Sequence, residues 1–186
     1  MNFWEEFGPA ALAMRIRCES MRDIGAAMTP HNAFLLLQGL ETLNLRMQQH
    51  VSNAQAMVTW LQTQDAVAWV NHPDINADAH TKALFPKGAG SMLTFGVKGG
   101  RDAGAAFINA LQLSSNLANV GDSRTLVLHP GSTTHSRLSE NDLIAAGIGA
   151  DLIRVSVGIE TLKDIQADFS LGLRAAAKIV AQQAEA

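Results

Sequence analysis

Leu152-Ile153-Arg154-Val155-Ser156-Val157-Gly158-Ile159-Glu160 is the stretch on which the fold of this chain turns. Its first six residues alternate, so in an extended strand Ile153, Val155 and Val157 share one face and Arg154 and Ser156 the other. A strand with one apolar face needs a covering layer. An arginine aimed off such a strand needs an anionic partner. The planar guanidinium fork matches a carboxylate at two points, so two readings stand: a clamp for a substrate carboxylate, or a structural ion pair. On the residues alone the ion pair is the commoner outcome.

On the C-terminal side, Thr161 with Asp164 three residues on has helix-start chemistry, and Leu162, Ile165, Phe169, Leu173, Ala176 and Val180 form one apolar stripe. Asp164 and Asp168 near its start and Lys178 near its end suit the helix dipole. On the N-terminal side, Ser139 to Asp142 has the hydroxyl-to-acid spacing of a helix cap, and Thr125-Leu126-Val127-Leu128 reads as a strand stopped by Pro130-Gly131. Arg101 to Leu113 reads as a short alanine-rich helix. Val67 to Val70 and Met92 to Val97 read as strands, and Asn71 to Gly90 between them as mostly loop.

Further back, Thr29-Pro30 is a hydroxyl cap followed by proline, and apolar residues recur in steps of three and four from Ala33 to Leu61. That pattern predicts one long amphipathic helix of about 45 to 50 Å at ~1.5 Å per residue, a spine joining two units. Before it, Gly8-Pro9 opens a helical stretch from Ala10 to Met21, and Asp23 to Ala27 reads as a break. The elements together predict an α+β fold, with helices covering one face of a mostly antiparallel sheet.

The chain has 186 residues, a net charge of -3 and a pI near 6.0, so neither sign dominates and nucleic acid or an anionic membrane is not an expected partner. The lone Cys18 makes no internal disulfide, no spacing resembles a zinc site, and no signal peptide or membrane span is read. Cytoplasmic residence is the expectation.

Other segments invite chemistry. Asn116 to Asp122 mixes small polar residues with glycine, suited either to close backbone approach to a ligand or to an ordinary turn. His129-Pro130-Gly131-Ser132-Thr133-Thr134-His135 holds two histidines and three hydroxyls, but no acidic third member stands beside them, so a loop is preferred to a metal site or nucleophile. Gly88-Ala89-Gly90 and Gly99-Gly100 match no phosphate loop and read as turns.

Four segments taken in order resemble one known family. They are Phe7-Gly8-Pro9-Ala10-Ala11, Leu35 to Met47, Leu117 to His135 and Leu152 to Glu160. The family is the Cys/Met-metabolism pyridoxal-phosphate enzymes. Leu117-Ala118-Asn119-Val120-Gly121-Asp122, Leu126 to Pro130 and Leu93 to Gly100 look most like its O-acetylhomoserine sulfhydrylase branch, with the cystathionine γ-synthases and γ-lyases as neighbours.

The resemblance implies the C-terminal small domain of a fold-type I enzyme preceded by a linking helix: residues 1–28 as a remnant of the large cofactor domain, 29–186 as the helix plus small domain. It implies pyridoxal 5'-phosphate as cofactor, O-acetylhomoserine and sulfide as substrates, and a homo-oligomer. It places the substrate carboxylate on Arg154, with Asn119 where the family usually has a serine as a second carboxylate contact. The family's cofactor lysine has no counterpart in the context of Lys82, Lys87, Lys98, Lys163 or Lys178. An isolated chain without activity is therefore expected, either as part of a split or longer enzyme or as a non-catalytic, truncated association module.

Overall fold

The computed structural model describes residues 2–185, and the chain divides into two compact units, Met1–Leu43 and Asn44–Ala186. The first contains α1 (Phe3–Phe7), a 3-10 turn (Gly8–Ala10), α2 (Ala11–Arg15), a π-helical stretch (Ile16–Ile24) and α3 (Pro30–Glu41). The helix expected from Ala10 is thus present, but its hydrogen bonding changes period twice. It also runs past the expected break at Asp23 and stops at Gly25, whose φ of +68° suits glycine and whose N–H bonds to Met21 O at 3.0 Å. Thr29 caps α3 as its spacing predicts, its Oγ1 accepting the Asn32 N–H at 3.2 Å.

No residue in these helices is buried. Leu12, Ile24 and Phe34 are 72%, 79% and 57% exposed, so the described residues of this unit form no apolar core of their own. The single helix expected from Pro30 to Leu61 is interrupted. α3 ends at Glu41, Thr42 sits at φ −104° and ψ 4°, and α4 runs Leu43–Leu61. Gly39 and the β-branched Thr42 fall within one turn of each other, and both are poor helix formers.

The second unit carries β1 (Val67–Asn71), α5 (Ala79–Leu84), β2 (Met92–Val97), α6 (Gly100–Ala110), β3 (Ser115–Asn116), β4 (Leu126–Leu128), α7 (Glu140–Ala145), β5 (Leu152–Ser156) and α8 (Leu162–Glu185). The strands form one sheet in the order β1-β2-β5-β4-β3, with every pairing antiparallel except β3 with β4. The expected α+β architecture and mostly antiparallel sheet are therefore present. The segment read as loop between β1 and β2 contains α5, started by Asp78, whose Oδ1 accepts the Thr81 N–H at 2.7 Å.

One core joins Met57 and Leu61 of α4, Phe95 of β2, Phe107 of α6, Ile153 and Val155 of β5, and Phe169 of α8, all essentially inaccessible. Phe107 makes edge contacts with Phe95 and Phe169 at 5.4 Å between centroids. Helices α6 and α8 come this close because Gly172 faces Phe107: a Cβ there would lie 2.5 Å from Phe107 Cδ2.

Asp168 corrects the expectation that it serves the helix dipole. It is 4% exposed, and its two carboxylate oxygens accept the backbone N–H groups of Gln112 (2.6 Å), Leu113 (3.0 Å) and Ser114 (2.9 Å). Those groups belong to the chain leaving α6 for β3. Burial pushes the Asp168 carboxyl up, but the three N–H donors outweigh it and hold the carboxyl below its ordinary range.

Candidate functional site

The pairing of β5 fixes the surroundings of Arg154. Arg154 lies opposite Thr94 of β2 and Leu128 of β4, and Thr94 lies opposite Asn71 of β1. Residues directly opposed in antiparallel strands share a face, so Asn71, Thr94 and Arg154 form a row across three strands. Ile153 and Val155 point into the core on the other face, as their alternation predicts, while Arg154 stays partly exposed. A cleft of ≈ 220 Å³ opens over this row, lined by Asn71, His72, Pro73, Met92, Leu93, Thr94 and Arg154.

Arg154 Nη2 donates to the backbone carbonyl of Asn119 at 3.5 Å. Among the described residues Arg154 makes no ion pair, and the guanidinium fork stays largely free. The structure thus brings Arg154 and Asn119 together across 35 residues of sequence. It is the Asn119 main chain that faces the arginine; the Asn119 side-chain oxygen accepts the Val120 N–H at 2.9 Å.

The loop carrying Asn119 is held down by Gly121, Asp122 and Ser156 of the segments already singled out, together with Arg124, which sequence reading did not mark. Gly121, at φ +75°, donates its N–H to Ser156 Oγ at 3.3 Å, one alternation along β5 from Arg154. Asp122 accepts from Arg124 N at 3.0 Å and Arg124 Nε at 3.3 Å, and these bonds, the side-chain one foremost, hold its carboxyl below the ordinary range.

Glu160 accepts both the N–H (2.6 Å) and the Oγ1–H (2.8 Å) of Thr125, whose Oγ1 in turn accepts the Gly158 N–H at 2.9 Å. A Cβ on Gly158 would lie 2.5 Å from Thr125 N, so only glycine permits that closeness. From α4, His50 Nδ1 donates to Val157 O at 2.6 Å, and Asn53 Nδ2 donates to the carbonyls of Gly158 and Glu160 at 3.0 and 2.9 Å. The end of β5, the start of β4 and the loop between β3 and β4 are thereby one clamped unit. Glu160 stood in the most informative stretch of sequence, but nothing local marks Thr125, His50 or Asn53 as its companions.

His129 is 1% exposed, and both ring nitrogens serve local structure. Nε2 donates to Ala150 O at 2.8 Å, and Nδ1 accepts from Ser132 Oγ at 2.9 Å. The loop reading of this segment holds, tightened by a 3-10 turn at Pro130–Ser132. Gly88 and Gly99 occupy turns at φ +97°. Among the described residues no cluster of His, Cys, Asp or Glu could hold a metal ion, and no helix is long and apolar enough to cross a membrane.

His72 is different. It is 2% exposed, its Nδ1 accepts the Asp74 N–H at 3.2 Å, which in the neutral ring leaves the proton on Nε2, and among the described residues Nε2 has no hydrogen-bond partner. An orphaned donor in a cleft wall is a costly feature that calls for a reason.

The lysines do not fit as holders of pyridoxal phosphate. Lys82, Lys87, Lys98, Lys163 and Lys178 are all exposed, and none lines the Arg154 cleft. A hollow within the first unit, lined by Ala26, Ala27, Met28, Asn32, Leu35 and Leu36, is apolar and offers a phosphate only one amide side chain.

Comparison with known proteins gives a consistent picture. A profile of the Cys/Met metabolism PLP-dependent enzymes matches residues 9–174. The homocysteine synthase of Schizosaccharomyces pombe is 46% identical over 179 residues, which is 95% of this chain and 42% of that protein. O-acetyl-L-homoserine sulfhydrylase 1 of Thermus thermophilus is 43% identical over 176 residues, 93% of this chain and 42% of that one. A solved O-acetylhomoserine (thiol)-lyase of Campylobacter jejuni, which carries a pyridoxyl-lysine phosphate, superposes with a TM-score of 0.77 at 37% identity, over 89% of this chain and 40% of its own. The chain thus spans about 40% of the length of the relatives it matches. With the profile spanning most of its length, and with the motifs that first suggested the resemblance, the chain belongs to the Cys/Met metabolism PLP-dependent enzyme family.

Proposed function

We propose that this chain supplies the substrate-carboxylate anchor, Arg154, of a PLP-dependent O-acetylhomoserine sulfhydrylase, an enzyme that transfers the aminocarboxypropyl group of O-acetylhomoserine to sulfide. The observation that carries the reading is that Arg154 lines a cleft from the middle strand of the sheet with no ion pair among the described residues. A structural ion pair, the alternative open to sequence reading, would have a carboxylate against the guanidinium. The relatives named above, homocysteine synthase and sulfhydrylase, favour this branch over the cystathionine enzymes.

When bound, the cofactor supplies the electron sink for chemistry at the substrate carbons. Arg154 binds the carboxylate through its fork and so fixes the orientation of the amino acid, while the Asn119 loop, clamped through Thr125 and Glu160, walls the same place. Asn119 is the second contact in this reading, through the loop position that already touches Arg154.

In the same reading residues 1–28 belong with the cofactor domain, which agrees with the absence of any buried side chain in their helices. The enzyme is a cytoplasmic homo-oligomer. Phe34, Leu35, Leu36, Leu37 and Leu40 of α3, each more than half exposed, are surface of the kind that subunits or domains cover. The chain by itself makes no product, because none of its lysines is placed for the cofactor.

The test is to assay the chain with O-acetylhomoserine, sulfide and cofactor, alone and joined to the cofactor-binding portion of a homocysteine synthase. Turnover is expected only in the joined form. There Arg154→Ala should lower kcat/KM by roughly ten- to two-hundredfold, the equivalent of ~1.5–3 kcal/mol for hydrogen bonds to a charged group. Unchanged turnover in that variant would remove Arg154 from the site.

A further inference from the structure

Three polar side chains stand in line across the open face of the sheet: Asn71 on β1, Thr94 on β2 and Arg154 on β5, each directly opposite the next. Neighbouring strands are ~4.8 Å apart and opposed Cβ atoms about 5 Å, so the Thr94 hydroxyl lies alongside the arginine stem and Asn71 one strand further out. All three line one cleft of ≈ 220 Å³. Among the described residues neither the Thr94 hydroxyl nor the Asn71 carboxamide hydrogen-bonds to another part of the chain. His72, which also lines a second cleft with Gln55, Thr59 and Asp74, stands at one end of this one. Thr94 and Asn71 thus offer two uncommitted polar groups in one cleft with a guanidinium whose single hydrogen bond, to the Asn119 carbonyl, is long.

We infer that Thr94 and Asn71 are ligand contacts: Thr94 Oγ1 gives the carboxylate at Arg154 a further donor, and the Asn71 carboxamide takes a polar atom at the far end of the same amino acid. The inference rests on the carboxylate reading of Arg154 and extends it from an anchor to a track that measures side-chain length and polarity. The chemistry selected is an α-amino acid with an oxygen acceptor several bonds from its carboxylate. The Asn71 carboxamide can donate to an ester or amide carbonyl, whereas a plain alkyl side chain gains nothing from it.

The experiment titrates the whole chain with acetate, L-norvaline and O-acetyl-L-homoserine, following the side-chain N–H signals of Arg154 and Asn71 by NMR. The wild-type chain should bind O-acetyl-L-homoserine tightest. Thr94→Val, which keeps shape and removes the hydroxyl, should weaken all three ligands about tenfold. Asn71→Ala should weaken O-acetyl-L-homoserine severalfold and leave acetate and L-norvaline unchanged. If Arg154→Ala abolishes binding while Thr94→Val and Asn71→Ala bind like the wild type, the track is wrong and the anchor stands. If Arg154→Ala binds like the wild type, or no probe gives a saturable response, both are wrong.

Discussion

Arg154 Nη2 meets the carbonyl oxygen of Asn119 at 3.5 Å, the outer limit of a hydrogen bond. A guanidinium offers five N–H donors, so this contact leaves the fork able to receive an anion without first breaking a strong bond. The loop is therefore near the arginine without neutralising it. Replacing Arg154 by Ala should change unfolding free energy by no more than about 0.5 kcal/mol, the usual range for a substitution that removes no buried partner. Urea denaturation of the two proteins checks this. A loss of several kcal/mol would mean that the arginine belongs to the structure.

Asp168 gives the chain an acid-sensitive joint. Its folded carboxyl titrates below the ordinary value because three backbone N–H groups need the ionised form. A depressed folded pKa contributes stability that is present above the unfolded value, near 4, and is lost as pH falls through the folded one. Asp168→Asn should therefore cost stability at pH 7, and the difference from wild type should shrink at acid pH. Asp168→Ala should cost about 2–3 kcal/mol at neutral pH, since it leaves buried donors unpaired. Denaturation curves at several pH values decide it. A constant difference down to strong acid would deny the carboxylate its role.

What was legible in sequence was what short-range chemistry decides. The strands around Val67, Met92, Leu126 and Leu152 follow from alternation and β-branched content, and the caps at Thr29 and Ser139 follow from hydroxyl spacing. Arg154 was legible for the same reason, since alternation alone separates it from Ile153 and Val155. What was not legible depends on partners far along the chain. Asp168 looks like a helix-dipole residue until residues 112–114 arrive, some 55 positions away. Thr94 and Asn71 join Arg154 only through register, which a single strand does not encode. The break at Thr42 has no mark in the sequence, because the apolar period runs straight through it and no proline stands there.

Gly172 shows the same limit in the core. In an alanine-rich helix it reads as a mild defect, yet a methyl there would press on the Phe107 ring from 2.5 Å. Gly172→Ala raises helix propensity by ~1 kcal/mol but forces α6 and α8 apart. Overpacking of this kind costs about 1–3 kcal/mol, so the net effect should be destabilising. A midpoint of thermal unfolding at or above that of the wild type would show that the helices yield without cost.

Within the first unit no helix buries a side chain, so its hydrogen bonds have little packing to protect them. In the isolated chain the amides of Ile16–Ile24 should exchange orders of magnitude faster than that of Val155, which is fully buried in the middle strand of the sheet. Hydrogen exchange read by NMR or mass spectrometry tests this directly. Equal protection would mean that the unit is covered, by another copy of the chain or otherwise.

Thr125 is the test of whether the Asn119 loop is clamped or merely adjacent. Its buried hydroxyl donates to Glu160 Oε2 and accepts from the Gly158 N–H, so one oxygen ties the end of β5 to the start of β4. Valine has nearly the same shape without that oxygen. Thr125→Val should leave the Gly158 N–H buried and unpaired and remove one charge-assisted bond from Glu160, a loss of about 2–3 kcal/mol. Thr125→Ser keeps the hydroxyl and loses one methyl, so it should cost only about 1 kcal/mol. The consequence should extend to the loop: the Gly121 amide, held on Ser156, and the Ile159 amide, held on Ser123 O, should lose exchange protection in the valine variant and keep it in the serine variant. If valine is as stable as serine and both amides stay protected, the hydroxyl is dispensable, and the loop is held over Arg154 by its backbone contacts alone.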